Sequence, residues 1–442
     1  MQRFAKEFHN FQGEAFGNRD ETPMNTNDLG ESRPSLVQPA PSLTKAAFQS
    51  GPSLVRSSPA EMRSAITLGI IGGGQLAKMT AQSAAQFGCE VVILERQAEF
   101  PAGSLATRTL IGDWDEPESL LELAALVDVV TLENEFVQTD ALAMLEHHGH
   151  KLWPSSATMR LIQDKLAQKQ TLAEAGLPVP RMRAVERTED VVATATEWGL
   201  PLLLKARRNA YDGKGNVTLR SIAEIEIAWR KLGGHYGNPL FAEQFCPFTN
   251  ELAVIVTRGV NGEVATYPVV ETVQRNHICH VVRAPAPVAP EIAGRAAELA
   301  RRAVAAVAAV GTFGVEMFLI DDGEILVNEL APRVHNSGHY TIEACHCSQF
   351  ENHVRAVLGW PLGSPTLRAP AAAMVNLLAS TDGPGTPQGL ADALRVEGAH
   401  VHIYGKARSE TGRKMGHVTA LGATLEEALA VAQRAADCIR FG

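Results

Sequence analysis

The 442-residue sequence predicts an α/β protein whose ordered part begins with a parallel sheet and continues as α+β structure. Residues 66–95 contain an apolar strand, a glycine turn, an alanine-rich helix and a second apolar strand, which is the pattern of a βαβ unit. After residue 200, pairs of apolar runs flank short polar turns, as in hairpins. A smaller unit follows Gly363. We therefore expect an N-terminal parallel-sheet domain, a central α+β region and a small C-terminal domain.

The composition is that of a globular protein and argues against several classes of function. Hydrophobic residues make up 45% of the chain and charged residues 20%, which are ordinary values. A net charge of -9 argues against a dedicated nucleic-acid binder. No uncharged apolar run approaches the ~18 residues of a membrane span, so we expect no membrane partner. Six cysteines are too few for a disulfide framework, which favours a reducing, cytoplasmic location.

Residues 1–64 are expected to form a disordered extension. They contain six prolines and no isoleucine, tyrosine, tryptophan or cysteine, so they lack many of the residues that build a core. Met62 lies a few residues before the first predicted strand. This position raises the hypothesis that the natural chain starts there.

The glycine turn of the βαβ unit has two interpretations. Gly72-x-Gly74-x-x-Ala77 fits the dinucleotide-binding fingerprint, and Glu95 stands about where an acid would bind a ribose. A tight strand-to-helix turn that packs closely on a sheet also requires small residues at these positions. Both interpretations stay open at this point.

Two acidic residues follow the strand predicted at 127–132. Glu133 and Glu135 would lie beyond the carboxyl end of a parallel strand, which is where open α/β sheets bind ligands. The alternative is an ordinary solvated strand end.

A lysine-bearing helix and a glycine-rich loop begin the central region. A helix is predicted over residues 155–176, with Lys165 and Lys169 on one side. Lys205 closes an apolar strand, and the loop YDGKGN at 211–216 leads to the next strand. Such a loop can direct backbone N–H groups at phosphates while Lys205 neutralises them. It lacks the P-loop pattern, and the alternative is a plain hairpin turn.

A hairpin at residues 314–331 predicts two facing carboxylates. If Asp322 and Gly323 form a two-residue turn, Glu316 lies directly across from Glu329. Opposed like charges destabilise a sheet, so a cation is expected between them, and Mg²⁺ binds one or two carboxylates together with substrate phosphates. Donors suited to an anion follow at once: Arg333, His335, Asn336 and Ser337. The alternative is a solvated hairpin with two surface glutamates.

The C-terminal unit contains a basic stretch in an acidic chain. Its cationic and imidazole side chains are Lys406, Arg408, Arg413, Lys414 and His417. We interpret the stretch as a loop that clamps an anion, and the alternative is a solvated hairpin tip.

Three motifs together resemble the ATP-grasp superfamily and, within it, the N5-carboxyaminoimidazole ribonucleotide synthetase family of purine biosynthesis. The motifs are NELAPRVHNSGH, YDGKGN and GRKMGHVT, and the resemblance covers about residues 66–440. It implies a Rossmann-like domain at 65–164, an ATP-grasp domain of two α+β subdomains at 165–365 with a lid at about 181–240, and a small C-terminal domain at 366–442. ATP would lie between two antiparallel sheets.

The resemblance also implies which residues meet each ligand. ATP would contact Lys165, Lys205, Tyr211, Asp212, Gly213, Lys214, Gly215, Asn216, Glu243, Gln244, Phe245, Cys246, Glu251, Gln274, Asn328 and Glu329. Mg²⁺, with Mn²⁺ as an alternative, would be bound by Glu316, Glu329 and Asn328. The ribonucleotide would contact Glu133 or Glu135, Tyr211, Asp212 and Lys214, with Lys406 and Arg413 on its phosphate. The catalytic residues around bicarbonate would be Arg333, His335, Asn336 and Ser337, together with Lys214.

The implied reaction is the ATP- and bicarbonate-dependent carboxylation of 5-aminoimidazole ribonucleotide through carboxyphosphate. The resemblance further implies a homodimer and a separate mutase that takes the product. The sequence departs from the family pattern at Lys165, where many members have arginine, at Gln274, where many have histidine, and around Glu133 and Glu135. The alternatives are another ATP-grasp ligase such as formate-dependent glycinamide ribonucleotide transformylase, a dinucleotide-dependent reductase, or a non-catalytic nucleotide sensor.

Overall fold

The computed structural model describes residues 65–209, 215–275, 277–321 and 323–442. The predicted disordered extension at 1–64, with Met62, lies outside the described residues. So do Tyr211, Asp212, Gly213 and Lys214 of the glycine-rich loop, and Asp322 of the predicted turn. Among the described residues, no helix has both the length and the apolar character needed to cross a bilayer.

The N-terminal domain is a five-stranded parallel sheet in the order β3-β2-β1-β4-β5. Its strands are β1 (Thr67–Ile71), β2 (Glu90–Glu95), β3 (Arg108–Ile111), β4 (Val129–Leu132) and β5 (Leu152–Trp153), and its helices are α1 (Gln75–Gln86), α2 (Pro117–Ala125) and α3 (Thr139–His147). The predicted βαβ unit is confirmed. The strand order reverses between β1 and β4, so Glu133 and Glu135 follow β4 at the topological switch point, where such sheets bind ligands.

The helix predicted over 155–176 is wrong as a single element. The structure has α4 (Ser156–Gln163) and α5 (Lys165–Glu174), separated by Asp164 in an extended conformation. The Asp164 side chain accepts hydrogen bonds from the N–H groups of Leu166 and Ala167 and from Arg207 Nε at 2.9 Å. An aspartate that caps a helix start competes with a continuous helix. This break sets the position of Lys165 at the first turn of α5.

A four-stranded antiparallel sheet follows, in the order β6-β9-β7-β8. Its strands are β6 (Met182–Val185), β7 (Leu202–Ala206), β8 (Asn216–Leu219) and β9 (Leu240–Gln244). The helices between them are α6 (Thr188–Trp198) and α7 (Ile225–Lys231). Alternate residues of β7 are buried, as expected of a strand with one covered face. Lys205 pairs with Asn216 across the sheet, so the glycine-rich loop joins two neighbouring strands as predicted.

Nine of the remaining strands form a second large sheet. Its path is β15-β14-β10-β12-β13-β16-β20-β18, with β11 paired to β10. The strands of this part of the chain are β10 (Phe248–Arg258), β11 (Val264–Thr266), β12 (Val270–Arg275), β13 (Ile278–Ala284), β14 (Gly311–Ile320), β15 (Ile325–Ala331), β16 (Ala371–Leu378), β17 (Gly383–Pro384), β18 (Ala399–Ile403), β19 (Arg408–Ser409) and β20 (Lys414–Gly422). The helices are α8 (Pro290–Ala306), α9 (Thr341–Ala344), α10 (Gln349–Leu358), α11 (Leu390–Ala393) and α12 (Leu425–Cys438). Strands β17 and β19 pair separately. Because β13 pairs with β16, the C-terminal region shares one continuous sheet with the central region.

One member of the predicted basic loop lies elsewhere. His417 is fully buried within β20, paired with Asn376 of β16 on one side and His402 of β18 on the other. Residues 415–420 of β20 are all buried, so this part of the stretch continues the sheet and is not a loop. The remaining basic residues stay at or near the connection between β18 and β20.

Candidate active site

The two predicted carboxylates do face each other, although the turn between them is not the predicted one. Glu316 of β14 pairs with Glu329 of β15. Leu319 pairs with Ile325, and Ile320 N–H donates to the carbonyl of Glu324, so three residues instead of two lie between the last hydrogen-bonded residues, Ile320 and Glu324. The two-residue turn is therefore wrong. A bulge at Asn328 adds one residue to β15 and restores the opposition of the glutamates.

Helix α5 fixes the bulged edge strand. Strand β15 is at the end of the sheet path, where backbone groups would otherwise be unpaired. Lys169 Nζ donates to the carbonyl of Asn328 at 2.6 Å. Gln168 pairs with the backbone of Leu330 in both directions, at 2.9 and 3.1 Å. The side chains of α5 thus make the backbone hydrogen bonds at the bulge that a neighbouring strand would otherwise make.

The two glutamates have unlike electrostatic surroundings. Burial and the charge of Glu329 raise the pKa of Glu316. Burial would also raise the pKa of Glu329, but the ion pair with Lys165 outweighs it and lowers the pKa. Glu329 is therefore the ionised member of the pair, and Glu316 keeps a proton to higher pH. A cation bound between them would replace that proton.

A buried cluster of three charges lies beside this pair. Glu243 of β9 is 2.9 Å from Lys169 Nζ and 3.0 Å from Lys205 Nζ, and Lys169 and Glu243 are each only 1% exposed. Burial favours the neutral form of Glu243, but the two lysines lower its pKa. Burial lowers the pKa of Lys169. Because Lys169 also contacts Asn328, this cluster connects the four-stranded sheet to the bulge of the nine-stranded sheet.

A cavity of about 1100 Å³ lies between the two sheets. It is lined by most of the predicted site residues: Glu135, Lys165, Lys205, Gly215, Asn216, Glu243, Gln244, Phe245, Cys246, Glu251, Gln274, Glu316, Asn328, Glu329, Arg333, His335, Asn336 and Ser337. The lining of the same cavity does not include Glu133, Lys406 or Arg413, and Tyr211, Asp212, Gly213 and Lys214 are outside the described residues. One cavity therefore unites the lysines, the carboxylate pair and the donor loop.

The far end of the cavity offers groups for a polar ligand. Burial raises the pKa of Glu251, and its side chain is hydrogen-bonded to Gln274. The rings of Phe248 and Phe318 stack at 4.6 Å between centroids, and both line the cavity. Burial raises the pKa of the Cys246 thiol to about 11, so this cysteine is an apolar wall rather than a nucleophile.

The donor loop after β15 is held in place by contacts from several directions. Arg333 Nη2 lies 3.0 Å from Glu135, which joins the loop to the N-terminal domain. His335 Nδ1 is 2.9 Å from Ser337 Oγ, and His335 Nε2 is 3.5 Å from Glu316. Burial and the charges of Arg333 and Lys414 lower the pKa of His335 to about 3. The imidazole is therefore neutral at neutral pH.

The glycine turn is filled by carboxylates of the protein itself. Gly73 N–H donates to Glu95 at 2.8 Å, and the Gly74 backbone is hydrogen-bonded to Glu133. A Cβ on Gly74 would meet the Glu133 carboxylate at 2.2 Å. The small residues are thus required for close packing, and the N–H groups that would bind a pyrophosphate already have acceptors. These contacts favour the packing interpretation of the turn over the dinucleotide interpretation.

Two lysines of the site were not among the predicted site residues. Lys169 follows Lys165 by one helical turn, so its position on the same face was the available signal. Lys414 was recognised as basic but given no ligand, and it lines the cavity, whereas Lys406 and Arg413 do not. Lys406 Nζ instead donates to the carbonyl of Lys414 at 2.8 Å. Arg413 contacts Glu410 and the carbonyl of Arg408.

Three family models match the chain. They are the ribonucleotide synthetase preATP-grasp domain over residues 65–163, the ATP-grasp domain over residues 170–350, and the phosphoribosylaminoimidazole carboxylase C-terminal domain over residues 372–431. The parallel sheet lies in the first range. The four-stranded sheet and strands β10 to β15 of the nine-stranded sheet lie in the second range. Strands β16 to β20 lie in the third range, apart from Ala371 at the start of β16.

Individual relatives agree with the family models. The N5-carboxyaminoimidazole ribonucleotide synthase of Synechococcus elongatus is 42% identical over 80% of this chain and 88% of that protein. The chloroplastic phosphoribosylaminoimidazole carboxylase of Vigna aconitifolia is 41% identical over 81% of this chain. The match spans only 65% of the Vigna protein, which is less than two thirds of its length.

A solved structure has the same fold. The N5-carboxyaminoimidazole synthase of Aspergillus clavatus, in complex with ADP and 5-aminoimidazole ribonucleotide, matches with a TM-score of 0.77 and 38% sequence identity. The match covers 85% of this chain and 98% of that chain.

The buried charge cluster predicts a large effect of Lys169 on stability. Replacing it as Lys169→Met leaves Glu243 with one cation and the Asn328 carbonyl without its donor. We expect the free energy of unfolding in urea to fall by about 3–5 kcal/mol. Lys231→Met, at an exposed lysine, should change it by less than about 0.5 kcal/mol. Adding Glu243→Gln to Lys169→Met should recover part of the lost free energy of unfolding. Equally small losses in Lys169→Met and Lys231→Met would contradict a stabilising role of the charge cluster.

Proposed function

We propose, since the chain belongs to the N5-carboxyaminoimidazole ribonucleotide synthase family of ATP-grasp proteins, that it is an ATP-dependent ligase that carboxylates 5-aminoimidazole ribonucleotide. Bicarbonate and ATP are the co-substrates, and the products are N5-carboxyaminoimidazole ribonucleotide, ADP and phosphate. This reaction belongs to purine biosynthesis. The Aspergillus clavatus relative was solved with ADP and 5-aminoimidazole ribonucleotide. This complex supports an adenine nucleotide and the ribonucleotide as the ligands of the present chain.

The single observation that carries the proposal is the shared cavity between the two sheets. Lysines for phosphate charge, a carboxylate pair for a metal and an anion-binding loop all line it. Phosphoryl transfer requires positioning and charge neutralisation in one place more than it requires covalent chemistry by the protein. The arrangement of these residues meets that requirement.

Glu316, Glu329 and Asn328 suit a magnesium ion. The two carboxylates face each other, and Asn328 Oδ1 is a buried atom with no hydrogen-bond partner among the described residues. Oxygen donors of this kind are the ligands that Mg²⁺ prefers, and Mn²⁺ accepts them as well. A bound Mg²⁺ would neutralise negative charge on the ATP phosphates.

In the proposed reaction, a bicarbonate oxygen attacks the γ-phosphate of ATP, and carboxyphosphate and ADP result. Lys165 and Lys205 supply positive charge toward the phosphates. Arg333, oriented by Glu135, supplies a positive charge for the bicarbonate anion. His335 is neutral, so it can accept a hydrogen bond beside that anion without adding charge. Asn336 and Ser337 complete the polar wall.

The second half of the reaction moves the carboxyl group to the exocyclic amine of the ribonucleotide. Carboxyphosphate is labile in water, so the cavity has to exclude water while the amine attacks. The parts assigned to the glycine-rich loop, including Lys214, stay predictions because they lie outside the described residues. The choice between Glu133 and Glu135 for substrate contact, the homodimer, the separate mutase and the cytoplasmic location also stay predictions.

The proposal is tested by ADP release from Mg²⁺-ATP with bicarbonate and 5-aminoimidazole ribonucleotide added separately and together. We expect full ADP release only with both, matched one to one by carboxylated ribonucleotide. ADP release driven instead by formate and glycinamide ribonucleotide would favour the transformylase alternative. No ADP release with any of these substrates would overturn the ligase assignment.

The basic connection between β18 and β20 gives a prediction about substrate affinity. Neither Lys406 nor Arg413 lines the cavity, so their contact with the ribonucleotide phosphate rests on the family resemblance. If they make that contact, Lys406→Ala and Arg413→Ala should each raise the KM for the ribonucleotide about 10-fold or more, because a phosphate contact to a cation is worth roughly 1.5–3 kcal/mol. The KM for ATP should change little. Arg434→Ala, at an exposed position on α12, is the matched control and should leave both constants unchanged. An effect confined to ATP would assign the connection to the nucleotide instead.

A further inference from the structure

A row of polar side chains crosses three neighbouring strands of the C-terminal part of the large sheet. Asn376 of β16 pairs with His417 of β20, and His417 pairs with His402 of β18. Residues that are directly paired across adjacent strands project from the same face of a sheet. Asn376 is 2% exposed and His417 is fully buried, so this row lies under another part of the molecule.

The covering part is the segment 336–343, which begins with the last two residues of the donor loop. Asn336, His339 and Glu343 are spaced by three and four residues, which places them on one side of a helical turn. Each meets one member of the row. Asn336 and Asn376 exchange two amide hydrogen bonds of 2.8 and 3.0 Å. The rings of His339 and His417 are 5.0 Å apart, and Glu343 lies 2.6 Å from His402.

Further contacts fix the row itself. The rings of His402 and His417 stack at 4.4 Å with 10° between their planes. Asn376 Nδ2 also donates to the carbonyl of Cys279 at 2.9 Å. The two donors of the Asn376 amide are therefore both used, one on β13 and one on Asn336. Since the side chain has these partners on two sides, its orientation is strongly determined.

Of the three residues that meet the row, Asn336 is the one that lines the cavity. It lines the cavity together with His335 and Ser337, whereas His339 is 1% exposed and packs against Phe350. The amide of Asn336 is thus shared between the cavity wall and a buried partner from the C-terminal strands. A displacement of Asn376 would be transmitted directly to this wall.

We propose that Asn376, His417 and His402 are positioning residues that hold the segment 336–343, and that Asn376 acts through Asn336 to orient the bicarbonate end of the site. The inference rests on the proposed function and adds a role for the C-terminal strands in it. A held amide keeps bicarbonate, and the carboxyphosphate formed from it, in the geometry for transfer. When the amide is loose, carboxyphosphate is hydrolysed before the ribonucleotide reacts.

The test is Asn376→Ala, assayed for ADP and carboxylated ribonucleotide in parallel. We expect kcat/KM for bicarbonate to fall roughly 10- to 100-fold, as a displacement of about 1 Å in a reacting group produces. The KM for ATP should stay within about twofold, and product formed per ADP should fall below one. A purely structural role would lower the active fraction but would leave the product per ADP and the KM for bicarbonate unchanged.

A double-mutant cycle identifies the route of the effect. Asn336→Ala and the double variant should have the same kcat/KM for bicarbonate and the same product per ADP, because Asn376 acts through Asn336. If Asn376→Ala does not fold, Asn376→Leu takes its place, because leucine keeps the side-chain volume but cannot hydrogen-bond to Asn336. Thr419→Val, at a buried threonine two residues from His417 on β20, is the matched control and should keep wild-type coupling.

Additive effects in the cycle, or wild-type coupling and bicarbonate kinetics in a folded Asn376 variant, would overturn the inference. These results differ from a failure of the proposed function. If wild-type protein shows no bicarbonate-dependent ADP release, the proposed function fails. If the wild type is active and the Asn376 variants behave like Thr419→Val, only the positioning role fails.

Discussion

The opposition of Glu316 and Glu329 is the constraint on which the rest of the site depends. When both carboxylates are ionised, two unit charges about 5 Å apart repel by roughly 3 kcal/mol at an effective dielectric constant of about 20. The fold maintains this unfavourable pair through the Asn328 bulge, the edge contacts of α5 and the ion pair of Lys165 with Glu329. In the proposed enzyme, repulsion built into a rigid strand pair would keep the site ready for a magnesium ion.

The charges around that pair also connect the separate parts of the chain. Glu243 brings the four-stranded sheet to Lys169 and thus to the bulge. Glu135 brings the N-terminal parallel sheet to Arg333. Asn376 brings the C-terminal strands to Asn336. Each region contributes a buried or half-buried polar contact to one cavity, so the site is complete only when all of them are folded.

Local patterns predicted the elements well and their long-range contacts poorly. The βαβ unit, the hairpin and the facing glutamates followed from apolar periodicity. The glutamates were placed correctly because two errors cancelled: the turn has one residue more than expected, and the bulge at Asn328 shifts the register by one. Since side chains alternate with period two, either error alone would have separated the pair. The reach of Lys169 to Glu243, and the burial of His417, depend on tertiary packing that no short pattern encodes.

The most direct measurement compares the metal-free wild type with Glu316→Gln by thermal unfolding at several pH values, with ADP formation measured in parallel. Burial and the charge of Glu329 raise the pKa of Glu316 to about 8 in the folded chain, whereas its ordinary value is 4.5. Between these pH values the unfolded chain releases the proton and the folded chain keeps it, so the free energy of unfolding of the wild type falls as pH rises from about 4.5 toward 8. We expect Glu316→Gln to melt at a higher temperature than the wild type at pH 8, this difference to shrink toward pH 5, and Mg²⁺-dependent ADP formation to be lost. Full activity in the variant, or a lower melting temperature at every pH, would contradict the role of the facing carboxylates.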